Sequence, residues 1–135
     1  MKFANVKTAL LAVMTGVLVS GSSLTARADI NDYEFQLVKN EVKKGDGTIV
    51  EVRLLNKKTN KPVPGAVIFT KRIDMAPDGM ETMAGPIELL PSTEPGLYRF
   101  KIGLSMEGRW QLSVGAKIQS EKDSLQSKLV LKAIP

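Results

Sequence analysis

Strict period-two alternation is the feature that most limits what this chain can fold into. In Leu97 to Leu104, Tyr98, Phe100, Ile102 and Leu104 fall on one side and Arg99 and Lys101 on the other. From Arg109 to Ile118, Trp110, Leu112, Val114, Ala116 and Ile118 share a side. From Thr48 to Leu55, Val50, Val52 and Leu54 oppose Glu51 and Arg53. A strand turns successive side chains to opposite faces, so such segments read as strands with one face in a core. Tyr33 to Val38, Ala66 to Asp74, Pro86 to Leu90 and Ser124 to Ala133 complete the set. In the segment from Ala66, Val67, Phe69, Ile73 and Met75 are expected to point inward; in the last, Leu125, Leu129 and Leu131 do so.

Turn-forming stretches separate the strands: Lys43 to Gly47, Asn56 to Gly65, Pro91 to Gly96 and Glu107-Gly108. No segment past residue 28 has the 3.6-residue period of a helix. About seven antiparallel strands over residues 29–135 predict an all-β, immunoglobulin-like sandwich. Trp110, Phe35, Phe69, Tyr98 and Phe100 are its expected aromatic mass, with Trp110 in the core.

Residues 1–28 have the three parts of a secretory signal peptide. Lys2 and Lys7 open it, Ala9 to Val19 is apolar, and Ala26-Arg27-Ala28 is a small-x-small cleavage pattern. The apolar run is about half of the ~20 residues that span a bilayer, so cleavage after Ala28 is expected rather than anchoring. This predicts a periplasmic protein with no stable membrane insertion. Three of the 19 basic residues and none of the 14 acidic ones lie in this segment, so 16 face 14 in the rest. That balance, with the basic residues scattered, argues against a nucleic-acid partner.

The chain contains neither cysteine nor histidine. Disulfides, thiolate or imidazole metal sites, cysteine nucleophiles and histidine bases are excluded. No serine has a histidine partner, so the chain reads as a non-enzyme. Soft thioether ligands survive the exclusion, and they suit copper(I). Of the six methionines, Met75, Met80 and Met83 fall in the loop Asp74 to Pro86, and Met106 precedes the Glu107-Gly108 turn. In a sandwich these two connections can share one end, which makes the four methionines a candidate site. Trp110 is a candidate cation–π neighbour there. The competing reading takes Met75 and Met106 as core caps in inward register, and Met80 and Met83 as an exposed protein-binding patch. Asp74, Asp78 and Glu81 lack the alternating ligand pattern of a calcium loop. Arg72 and Arg109 are expected to pair with Asp74, Asp78 or Glu107.

Four stretches carry a resemblance: Asn60 to Ala66, Asp74 to Met80, Pro95 to Phe100 and Met106 to Trp110. Their order and spacing resemble the FixH/YtkA-like family of exported or membrane-anchored bacterial domains. The resemblance covers nearly all of residues 33–133. It implies an immunoglobulin-like sandwich over 29–135, copper handling, and a partner in heavy-metal efflux or cytochrome oxidase assembly. It carries the family's methionine positions onto Met75, Met80, Met83 and Met106. Many relatives also have histidines near this loop; their absence here leaves a thioether site and no copper(II) site.

Overall fold

The alternating segments become strands because one face of each can leave water while the backbone pairs along its edges. A computed structural model describes residues 29–135; the expected signal peptide, residues 1–28, lies outside them. The strands are β1 (Tyr33–Leu37), β2 (Glu41–Lys43), β3 (Gly45–Asn56), β4 (Lys61–Pro62), β5 (Val67–Met75), β6 (Met80–Gly85), β7 (Ile87–Leu90), β8 (Leu97–Leu104), β9 (Gly108–Lys117) and β10 (Ser124–Ile134). Two single 3-10 turns, Ile30–Asp32 and Ala76–Asp78, complete the described elements.

One sheet runs β1-β3-β8-β7, with β4 also on β3; the other runs β2-β10-β9-β5-β6. The immunoglobulin-like sandwich expected from the alternation is therefore present. The strand count is corrected from about seven to ten. The three additional strands among the described residues, β2, β4 and β6, are only two to six residues long. The expectation of wholly antiparallel pairing is corrected as well, because β2 lies parallel to β10. The stretch read as a turn over Lys43 to Gly47 is in fact the crossing from β2 into β3.

Between the sheets, Phe35, Val50, Val52, Leu54, Ile73, Met75, Phe100, Ile102, Leu104, Trp110, Leu112, Val114 and Leu131 are all buried. Burial of each large apolar side chain contributes about 1.5–3 kcal/mol. Phe35 meets Tyr98 edge-on, with ring centroids 6.0 Å apart.

Two inward assignments are corrected. Val67 and Phe69 are 61% and 52% exposed. The β5–β9 register shifts between Ile68 and Thr70. That bulge reverses the phase of the strand, so Ile68 faces the core before it and Ile73 and Met75 after it. Phe69 instead lies over the outer face of Gly115. Met106 does not continue the inward register of β8, because the strand ends at Leu104 and the turn carries Met106 outward.

Candidate metal centre at the methionine end

The end of the sandwich where β5 turns into β6 also holds the β8–β9 turn. Strand β5 runs into Met75, and Ala76–Asp78 then forms a single 3-10 turn closed by Gly79 in the left-handed region. The loop is thus short. Met80, read from the sequence as an exposed loop residue, opens strand β6 and packs partly buried against the core.

Met75 and Met80 are register partners across β5 and β6. Directly opposed residues of an antiparallel pair are neighbours, so the backbone sets Met75 and Met80 across from each other where the β5–β6 register shifts. The next pair in the ladder is Asp74 with Ala84, which leaves Glu81 to Met83 as extra residues bulging from β6. Met83 rides on that bulge, 38% exposed. Met75 is fully buried.

Gly108 explains how the second connection joins the first. A Cβ on Gly108 would lie 2.6 Å from the Met75 methyl carbon and 2.7 Å from Asp78 Oδ2. Its φ of +139° is also one that side-chain-bearing residues rarely adopt. Glycine here lets the β8–β9 turn close onto Met75, and so brings Met106, two residues earlier and 39% exposed, to the same end. The Glu107-Gly108 turn was legible in the sequence, but not that Gly108 seats Met75.

Charge holds the two connections together. The Arg109 backbone N–H donates to Asp78 Oδ2 at 2.9 Å, and Arg109 Nε donates to Asp78 Oδ1 at 2.8 Å. The Arg109 guanidinium also donates to the Pro77 carbonyl at 2.8 Å. These bonds from Arg109 hold the Asp78 carboxyl below its ordinary value of 3.8. On β5, Arg72 Nε donates to Asp74 Oδ2 at 2.7 Å while the Ala76 N–H donates to Asp74 Oδ1 at 2.9 Å. The Arg72 guanidinium also reaches the Glu81 carbonyl. Both arginines thus pair as the sequence suggested.

With all four of their oxygens engaged, Asp74 and Asp78 are not waiting for a hard cation. Among the described residues no group of three or more His, Cys, Asp or Glu is arranged to hold a metal. The remaining candidate donors at this end are the methionine thioethers, which are neutral and polarisable and are of the ligand type that suits soft ions.

Trp110 lies fully buried beneath this end. Its link to the methionines runs through the indole N–H, which donates to the Met106 carbonyl at 3.1 Å. The side chain therefore packs the core and pins the turn that displays Met106.

The fold is an immunoglobulin-like sandwich in which two methionine-bearing connections, β5–β6 and β8–β9, share one end. The chain belongs to the YtkA-like family, whose sequence model matches residues 27–115. Among solved structures, the ZirS C-terminal domain is similar at 14% identity and a TM-score of 0.46, covering 93% of this chain and 88% of that one. No curated protein matches the chain.

Proposed function

We propose that this protein is an exported, non-enzymatic accessory protein that binds copper(I) through the methionine end. In this reading it sequesters the ion or passes it to an efflux or oxidase-assembly partner. One observation carries the proposal: Met75 and Met80 are cross-strand neighbours, and the turn bearing Met106 closes directly onto Met75 at Gly108. In this reading Met80, Met83 and Met106, which reach solvent, supply the thioethers, and the buried Met75 supports the site from the core side. A thioether is not protonated in water, so such a site would keep its affinity over a wide pH range. The copper handling implied by the family resemblance supports the same chemistry. So does the lack of any histidine or cysteine that would favour another ion.

The test replaces Met80, Met83 and Met106 together by leucine in residues 29–135, which contain both sheets and the core. Leucine and methionine exchange at a cost of about 1.5 kcal/mol or less each, so the fold should survive. Anaerobic competition against a chromophoric copper(I) chelator should show uptake by the parent and none by the variant. Equal uptake by both would refute the assignment. A second reading has this end docking an envelope protein directly, and the exposure of Met83 and Met106 favours it. Crosslinking to an efflux or assembly component with no copper uptake by the parent protein would select that reading.

A further inference from the structure

A second surface lies along the seam where β1 leaves one sheet and β2 joins the other. Strand β10 pairs with β9 without interruption from Ser124 to Ala133. On its other edge β2 meets only Lys132–Ile134. The Lys132 N–H donates to the Asn40 carbonyl, and the Ile134 carbonyl accepts from the Lys44 N–H. Those two bonds fix which backbone groups face away from β9. Since direction alternates along a regular strand, the N–H and C=O groups of Gln126, Lys128 and Val130 point the same way. Among the described residues, no strand pairs with them.

The same seam exposes the edge of β1. The Asp32 carbonyl accepts from the Lys57 N–H, and the Val38 N–H donates to the Glu51 carbonyl, so even-numbered positions face β3. The backbone groups of Phe35 and Leu37 point away from it. Between Leu37 and Lys128–Val130 lies an open groove of about 710 Å³, lined also by Val38, Lys39 and Glu41. Two leucines at its base, Leu37 and Leu129, are partly buried against the core, while its rim is polar.

We infer that this groove accepts an extended peptide segment of a partner protein by strand addition along β10, continuing the line of β2. Backbone groups of Gln126, Lys128 and Val130 would supply the ladder, and alternate side chains would give selectivity. Inward residues of the added strand would rest on Leu37 and Leu129, so they are apolar. Outward residues would stand beside Lys128 and Lys39, with Glu41 the one acidic side chain in the lining, so acidic residues are favoured next to the two lysines. The partner is thus a segment alternating apolar and acidic residues. A second copy of this chain fits worse, because edge-to-edge pairing centred on Lys128 would set like charges opposite each other.

The probe is a capped hexapeptide alternating valine and glutamate, compared with one alternating valine and lysine. Backbone amide exchange is followed by NMR on residues 29–135. The glutamate peptide should slow exchange at Gln126, Lys128 and Val130 by about tenfold or more, and the lysine peptide should not. Lys128→Glu should reverse the preference between the peptides. Lys128→Pro removes a donor that faces the groove and not β9, so it should abolish binding with the β9 ladder intact. Unchanged exchange at the three amides, or equal binding of both peptides, would overturn the inference. So would protection of the same amides by self-association in the absence of peptide.

Discussion

Two ties at opposite ends of this sandwich rest on different chemistry, although exposed ion pairs such as Arg53–Glu94 also occur at the end away from the methionines. At the end away from the methionines, the Tyr98 hydroxyl donates to the Val63 carbonyl at 2.8 Å and accepts from the Ala66 N–H at 2.9 Å. One neutral phenol in the wall of the core thus pins the β4–β5 connection. At the methionine end the equivalent work is done by ion pairs, Asp78 with the exposed Arg109 and the buried Asp74 with the exposed Arg72. Burial raises the Tyr98 hydroxyl pKa above 10.0, partly offset by the Ala66 bond, whereas the Arg109 bonds lower that of Asp78. A neutral buried tie suits a fixed scaffold. Ties whose arginines reach solvent suit the end at which a ligand would enter, and the methionine-bearing connections lie there.

The contrast can be broken most forcefully at Trp110. Trp110→Ala should cost about 3–5 kcal/mol in urea unfolding, from lost apolar burial and the cavity left behind. It also removes the bond to the Met106 carbonyl, so amides of the β8–β9 turn should exchange faster than those around Tyr98. Equal acceleration at both ends would mean that the indole does not specifically hold the methionine end.

Tyr98→Phe comes next. It leaves the Val63 carbonyl and the Ala66 N–H without their partner, and should cost about 1–3 kcal/mol. The loss should be confined to the opposite end, leaving copper(I) uptake unchanged in the competition assay.

The pH profile sharpens the comparison further. Asp78 has its folded-state pKa below 3.8, so its contribution is complete above 3.8 and is lost as pH falls through the lower folded value. Tyr98 has its folded-state pKa above 10.0, so its contribution is complete below 10.0 and is lost as pH rises further. Thermal midpoints measured from about pH 5 down to about pH 2 should fall less steeply for Asp78→Asn than for the parent. In alkali the two should fall in parallel.

The smallest effect is expected at Lys44 and Glu107, 3.7 Å apart and both well exposed. Lys44→Ala should change stability by no more than about 1 kcal/mol, although Glu107 belongs to the methionine-end turn.

Much of this organisation was legible in the sequence. Clean alternation in β3, β8 and β9 identified the buried faces because those strands are regular over their apolar positions. Strand β5 misled because its bulge between Ile68 and Thr70 reverses the phase, and no glycine or proline marks it. Strand β2 was hidden because three residues with one apolar side chain give no period. Met106 was misplaced because a strand pattern does not announce where pairing stops. The gathering of the methionine connections at one end was expected from the fold, but the seat of Met75 on Gly108 required the packed backbone.

The central claim is most directly tested by X-ray absorption at the copper edge on residues 29–135 loaded anaerobically with copper(I). Sulfur scatterers should dominate the first shell of the parent, and the Met80, Met83 and Met106 leucine variant should retain no copper. A first shell made only of oxygen or nitrogen, or a sulfur shell that persists in the variant, would contradict the account.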